Sequence, residues 1–449
     1  MTLRFHESLG RLVAEVEAAG IPLDDATVFL RDGEGRLMVA RESLPDAQAL
    51  AASLSKTLGA YASMRPVIDG RIAAALVKDQ AASEIPVVLP GRPAEGPRII
   101  RMVDRRFVGA DWMVPPEPVP QGGPPRLVFS SLKGGVGRST ALAVLAADLA
   151  RHGLKALAID LDLEAPGIGF MLLDASEDPA QDRRPNYGVL DYLVENGLGG
   201  VADEELFDFV GVSPFTDGSV DVVPVVGRVT DQHPETMLAK LSRAHVEDAG
   251  SRGPISFTNQ VREMVDRFAA RAEYDVILID ARAGLAESSA PALLALGAEI
   301  LFFGADQPQT FHSYRYLFAH LLHCFGTGPS GYRDWRGHLS FVQAKAPSSA
   351  QQRIDFRDRL HGLCAEFLYD KESLAADGSV QVADFNFGVA DAGRGVPHDA
   401  LFVAFHPDYM AFDPPSDGTP LDPDVYRGPF GDFLNRTWDL LGLSRDGRT

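Results

Sequence analysis

The chain is poor in cysteine and has no long apolar run. Its 449 residues include two cysteines, Cys324 and Cys364, which are too few for a disulfide framework and too far apart for a CxxC motif. No run of about 18 apolar residues occurs. The N-terminus lacks a basic segment followed by an apolar one, as a secretory signal would have. These absences predict a cytoplasmic protein.

Positive charge is also scarce. Sixty-two Asp and Glu residues against 42 Lys and Arg give a formal net charge of −20, which opposes non-specific binding to the phosphates of nucleic acids. Arg353, Arg357 and Arg359 form a local patch that could still contact phosphate, although a solvated helix face is the simpler interpretation. We therefore do not expect nucleic-acid binding as a main activity, but the patch leaves it open.

The sequence does contain a glycine-rich segment between a strand and a helix. Residues 126–130 are a short apolar run, and residues 140–150 are small, apolar and helix-forming. The segment between them reads Ser131-Leu-Lys-Gly-Gly-Val-Gly-Arg-Ser-Thr140. Its glycines allow successive N–H groups to turn inward, so that they and the helix N-terminus can cradle a polyphosphate. A tight strand-to-helix connection is the alternative.

Two further apolar strands end in acidic residues. The run from residue 155 leads into Asp160 and Asp162, and the run from residue 274 leads into Asp280. Carboxylates at strand ends can be solvated caps. Beside a phosphate loop, however, they suit phosphoryl transfer, which depends on positioning and charge compensation.

The loop and the acidic strand ends resemble the MinD/ParA ATPases, whose deviant Walker A loop reads KGG-x-GK-[ST]. The resemblance covers about residues 126–440 and implies that ATP and Mg²⁺ are bound. Arg138 replaces the family's second lysine, on the bound phosphates, as in a variant branch with a KGGVGR loop; arginine keeps the charge but is bulkier. The implied nucleotide-binding residues are Lys133, Gly134, Gly135, Val136, Gly137, Arg138, Ser139, Thr140 and Gln343.

The resemblance also implies catalytic and metal roles. Lys133 would reach across a nucleotide-sandwiched dimer to the partner's phosphates, and Asp162 would orient the attacking water. Ser139 and Asp280 would hold Mg²⁺, with Asp160 supporting the metal shell.

Three residues are interpreted more modestly. Gln343 stands after a strand where the family usually has an asparagine that reads adenine, and is a substitute for it. Arg282 is interpreted as a loop surface residue rather than as a stabiliser of the transferred phosphoryl group. Gln307 is expected to cap a helix rather than to take part in catalysis.

The prolines of residues 114–125 indicate an extended linker. It would separate a small α+β module, residues 1–113, from a nucleotide-binding domain, residues 126–449. In the module we predict a helix around residues 9–16 and a hairpin that turns at Asp32-Gly33. In the domain, alternating strands and helices predict a doubly wound, mostly parallel sheet with its ligand at the carboxyl ends of the strands. A C-terminal helix, residues 430–441, carries more acids than bases on its polar face, so we expect it to dock on the core and not on a membrane.

Together these features predict a switch protein and probable ATPase that binds ATP and Mg²⁺ and hydrolyses the nucleotide slowly if at all. It would form a nucleotide-dependent homodimer and relay its state to an unidentified protein partner. A non-catalytic scaffold is the alternative, in which Arg138 marks a site that is kept for structure or lost. A tyrosine kinase on the same core would need a tyrosine-rich tail, and only Tyr426 lies near the end.

Overall fold

The computed structural model separates the chain into two units, Met1–Ala110 and Asp111–Thr449. It describes residues 3–78, 82–106, 109–120, 122–174, 182–246, 248–250, 253–326, 334–371, 373–374, 380–381, 385–391 and 395–445.

The first unit is a five-stranded mixed sheet with helices, in the order β3-β2-β1-β5-β4. Strands β1 and β2 pair antiparallel, which confirms the predicted hairpin, and β1 also pairs parallel with β5. The apolar faces of α1 and α2 share one buried cluster with the sheet. The elements are α1 (Phe5–Ala18), β1 (Val28–Arg31), β2 (Leu37–Ala40), α2 (Ala47–Leu58), β3 (Ala62–Ile68), α3 (Gly70–Val77), β4 (Ser83–Val87) and β5 (Arg98–Asp104).

The second unit contains the longer strands and helices of the chain. Its strands are β6 (Arg126–Ser131), β7 (Ala156–Leu161), β8 (Gly211–Val212), β9 (Val220–Val223), β10 (Asp248–Gly250), β11 (Gly253–Ile255), β12 (Val276–Ala283), β13 (Glu299–Gly304), β14 (Leu339–Ala346), β15 (Ser373–Leu374), β16 (Val380–Gln381) and β17 (Leu401–Ala404). Its helices are α4 (Arg138–Arg151), α5 (Ile168–Leu172), α6 (Val189–Leu198), α7 (Arg228–Gln232), α8 (Met237–Ala244), α9 (Phe257–Ala270), α10 (Ala290–Leu294), α11 (Pro308–Phe325), α12 (Ala350–Phe367) and α13 (Pro423–Leu441).

Eight of these strands form one sheet, in the order β17-β14-β13-β6-β12-β7-β9-β8. Its pairs are parallel except for β8 with β9. In β6, Val128 belongs to one buried cluster while Leu127 and Phe129 belong to another, as expected for a sheet covered on both faces. The predicted doubly wound α/β fold, with an α+β region before it, is confirmed.

Strand β6 lies where the topology changes direction. Its neighbours are β12 on one side and β13 on the other, while β7, the next strand along the chain, lies beyond β12. In open α/β sheets such a switch point leaves a crevice at the carboxyl ends of the strands. The loop after β6 therefore begins at the position where this fold binds ligands.

The residues that open the second unit lie against its core. Trp112 is buried in the same cluster as Val128, and the Glu117 N–H donates to the carbonyl oxygen of Leu294 at 2.6 Å. Part of the proline-rich segment therefore packs on α10.

Helix α13 docks on the sheet, as predicted, although it begins seven residues earlier than the predicted segment. Phe430, Phe433 and Trp438 are buried in the cluster that also contains α4. The buried carboxylate of Asp148 on α4 accepts hydrogen bonds from Tyr426 Oη at 2.9 Å and Trp438 Nε1 at 2.8 Å. In the described part of the chain no helix is long and apolar enough to cross a membrane.

We expect Tyr426→Phe to lower the free energy of unfolding of the second unit by about 1–3 kcal/mol, because it removes a donor and leaves a buried carboxylate oxygen less satisfied. The matched control is Tyr316→Phe, at a tyrosine that is 64% exposed. Urea titration monitored by fluorescence compares the two. Equal midpoints for both variants and the parent would show that the Tyr426 hydroxyl does not secure α13.

Candidate functional site

The glycine loop joins β6 to α4 through two residues in the left-handed region. Gly135 has φ 72° and Gly137 has φ 89°, angles that side chains other than glycine rarely adopt. A Cβ built on Gly134, Gly135 or Gly137 would meet no atom within 4 Å. The loop is therefore an open backbone turn, and α4 begins directly after it with N–H groups that have no acceptor within the helix.

Ser139 and Asp280 meet, although they lie 141 residues apart. The Ser139 hydroxyl, in the first turn of α4, donates a short hydrogen bond to Asp280 Oδ2. Asp280 lies in β12 and is 1% exposed. Burial raises the pKa of its carboxyl group to about 6, against the opposing charge of Arg138. The two predicted metal ligands are thus brought together.

Asp160 lies directly opposite Asp280 in the pairing of β7 with β12. Its buried carboxylate accepts the N–H groups of Asp162 at 3.0 Å, Gly167 at 2.9 Å and Ile168 at 3.0 Å. Burial, and then the charge of Asp280, raise the pKa of this group to about 8. In this structure Asp160 holds the segment between β7 and α5.

Asp162 pairs with Arg138 inside the protein. Arg138 Nη2 lies 2.9 Å from Asp162 Oδ2, and the two side chains are 7% and 8% exposed. Arg138 Nη1 also donates to the carbonyl oxygen of Ala281, and its Nε lies 3.8 Å from Asp280 Oδ1. Burial raises the pKa of Asp162 even though Arg138 acts to lower it.

Lys133 contacts a residue that the sequence analysis assigned a different role. Its Nζ donates to Gln307 Oε1 at 2.7 Å. Gln307 is the residue before α11, but its side chain makes no capping hydrogen bond. Gln307 thus occupies the N-cap position of α11, as predicted, but its side chain does not cap the helix because the amide oxygen accepts from the lysine. The sequence carried one signal for this contact. Gln307 follows β13, and β13 is the sheet neighbour of β6, after which Lys133 lies.

Arg282 is not simply a surface residue. Its Nη1 lies 2.5 Å from Glu164 Oε2, and its side chain is 29% exposed. Glu164 also accepts from the Ser288 hydroxyl at 3.0 Å. This ion pair ties the segment after β7 to the end of β12.

Gln343 lies farther from the loop in the sheet. It is in β14, two strands from β6, and pairs with Gly304 and Phe402. It is 2% exposed, and its Nε2 has no hydrogen-bond partner. A ladder irregularity follows, and Lys345 has φ 52°. Gln343 therefore lies inside β14 rather than after a strand as predicted. Its buried amide has an unused donor, and its role toward a base stays a prediction.

Comparison with known proteins supports the MinD/ParA superfamily, which the sequence resembles, for the central part of the chain. Residues 127–300 match the model of the CobQ/CobB/MinD/ParA nucleotide binding domain. This segment includes the glycine loop and all three acidic residues of the site. No curated protein sequence matches the chain significantly.

Solved structures of low sequence identity are also similar. The MinD cell division protein of Aquifex aeolicus is 16% identical, with 72% of this chain and 100% of that chain covered at a TM-score of 0.42. The cell division ATPase MinD of Pyrococcus furiosus is 17% identical, with 70% and 99% covered at 0.38. The ParA family ATPase of Chlorobium tepidum is 17% identical, with 54% and 81% covered at 0.36. Likeness at this level carries no conclusion about function.

The stability of the second unit should depend on pH through the acidic residues of the site. An acid whose pKa is raised on folding binds its proton more tightly in the folded state, so stability falls as pH rises toward the folded pKa. We expect the melting temperature of the ligand-free protein to be higher by about 2 °C or more at about pH 6.5 than at about pH 8.5. Asp160→Asn should flatten this dependence, whereas the exposed Asp439→Asn should not. A parent-like slope in the Asp160 variant, measured by calorimetry, would contradict the assignment.

Proposed function

We propose that the second unit binds ATP with Mg²⁺ at residues 131–140, hydrolyses it slowly, dimerises on it and relays its state to a protein partner. The observation that carries the proposal is the hydrogen bond between Ser139 and Asp280 at the end of an open glycine loop. A hydroxyl at the helix start and a carboxylate on a neighbouring strand are the metal ligands that phosphate loops use.

The residues fit a divalent cation. Asp162 Oδ1 and Asp280 Oδ1 are buried and have no hydrogen-bond partner, and such oxygens are costly unless a donor or cation satisfies them. Carboxylate oxygens suit Mg²⁺, which commonly takes one or two of them and completes its shell with phosphate oxygens and water. When bound, it would offset the negative charge that develops during phosphoryl transfer.

The protein's own groups would position the reactants. The loop N–H groups and the start of α4 would hold the phosphates, and Arg138 would add positive charge to them. Asp162 Oδ1 is available to accept a hydrogen bond from the attacking water. Asp160 would keep Asp162 in place through the N–H that it accepts at 3.0 Å.

Dimerisation would give Lys133 a second partner. In the single chain its ammonium group is held by one neutral amide, that of Gln307. A charge-assisted bond to a phosphate is stronger than a bond to an amide. Nucleotide on a facing subunit would therefore draw Lys133 away from Gln307.

The scaffold alternative has one specific observation in its favour. Arg138 and Asp162 form a buried ion pair, which is also the contact that a purely structural site would have. Nucleic acid is less favoured, because the arginines of α12 are engaged. Arg357 pairs with Asp358, Arg359 pairs with Asp306, and Arg353 stacks on an aromatic ring.

ATP with Mg²⁺ should raise the melting temperature of the second unit, because only the folded state has the site. At a ligand concentration about 100-fold above Kd, the gain is about 2.7 kcal/mol. Gly137→Ala should abolish the shift, since Gly137 has φ 89°. Gly442→Ala is the control: it strains a glycine of φ 64° after α13 and should keep the shift. An unchanged melting temperature of the parent at millimolar ATP and Mg²⁺ would support the scaffold instead.

Lys133 and Asp162 should fail at different steps. Lys133→Ala should remain a nucleotide-bound monomer, because the contact across the dimer is missing, whereas Asp162→Ala should accumulate a dimer that no longer turns over. Light scattering with ATP and Mg²⁺, followed by phosphate release, separates the two results. Gln307→Ala, which removes only the resting partner of Lys133, should still dimerise. A parent protein that stays monomeric with every nucleotide would rule out the switch mechanism.

A further inference from the structure

Among the described residues of the loop, only Arg138 has a side chain that contacts acids at both strand ends, Asp162 and Asp280. Its guanidinium meets Asp162 Oδ2 at 2.9 Å, the carbonyl oxygen of Ala281, and Asp280 Oδ1 at 3.8 Å. At the corresponding position the resembled family has a lysine that faces the phosphates. Here the positive charge is directed toward the carboxylates.

The contacts use the shape of the guanidinium. Arginine presents its N–H donors as a planar fork, so one group can donate to Asp162 and another to Ala281 at the same time. A lysine ammonium carries its donors at a single point. The fork thus links the segment after β7 to the end of β12 without a metal ion.

The same oxygens are the ones that a cation would use. Asp162 and Asp280 each retain one buried oxygen without a hydrogen-bond partner. A divalent ion placed on this pair would lie close to the positive guanidinium, and the two would repel. Arg138 and a divalent cation therefore compete for the same carboxylates.

We propose that Arg138 acts as an internal cation of the Asp162–Asp280 pair and makes the binding of a divalent cation conditional on nucleotide. The proposal rests on the proposed function, in that the phosphates of a nucleotide in the loop would supply the negative charge that takes Arg138 off the pair. With the guanidinium on the phosphates, Asp280 is free for the metal ion and Asp162 for the attacking water. Without nucleotide, the site stays closed to it.

The test is a titration of the full chain with Mn²⁺ alone, without nucleotide. The electron paramagnetic resonance signal of the free ion reports how much Mn²⁺ stays unbound. We expect the parent to show no stoichiometric site. Arg138→Met, which keeps the length of the side chain and removes its charge, should bind one Mn²⁺ per chain at least about tenfold more tightly than the parent. Adding Asp280→Asn to this variant should abolish the gain.

Arg282→Met is the matched control, because it removes a nearby arginine that pairs with Glu164 and not with the acidic pair. It should behave like the parent, and a gain equal to that of Arg138→Met would mean that only the local charge matters. If circular dichroism shows that Arg138→Met does not fold, the Mn²⁺ titration of the parent decides the test. One tightly bound Mn²⁺ per parent chain without nucleotide overturns the proposal, whereas a parent that binds no Mn²⁺ supports it.

This outcome is independent of the ATP experiment. Mn²⁺ binding by the parent would overturn the role of Arg138 and leave nucleotide binding intact. Absence of an ATP-induced melting shift would overturn the proposed function and leave the Mn²⁺ titration interpretable.

Discussion

Three carboxylates are buried at the carboxyl ends of two adjacent strands, and the structure around the glycine loop depends on how their charge is compensated. Asp160 is satisfied by backbone N–H groups, which shapes the segment that follows β7. Asp162 Oδ2 accepts a hydrogen bond from a guanidinium and Asp280 Oδ2 from a hydroxyl, both from the first turn of α4. The start of that helix is therefore held to the sheet by polar contacts as well as by its apolar face.

The sequence was sufficient for features that lie within one continuous segment. The strand, glycine loop and helix around residues 126–150 were predicted because their signals are adjacent, and so were the acidic strand ends. Two edge strands of the first unit, β3 and β4, were missed for a physical reason. Both β3 and β4 contain a proline, Pro66 and Pro86, which argues against a strand; each lies at an edge of its sheet, where a missing donor is tolerated.

The direction of long side chains could not be predicted from sequence. Arg138, Lys133 and Arg282 each have several rotatable bonds, and their partners come from segments that only the fold brings near. Gln307 was interpreted by its place before a helix, but a nearby ammonium group offers its amide oxygen a stronger hydrogen bond than a backbone N–H does. Local rules thus located the residues of the site, while competition between partners decided their contacts.

Arg138 and Arg282 both connect the segment after β7 to the end of β12. Arg138 joins them inside the protein, and Arg282 joins them nearer the surface through Glu164. Because Glu164 also accepts from Ser288, just before α10, and Leu294 of α10 accepts from Glu117, a continuous set of contacts runs from the buried acids to the segment before β6. Removing the inner tie would leave the outer one in place. Spatial continuity of this kind becomes coupling only where a bound ligand biases an element that has two arrangements.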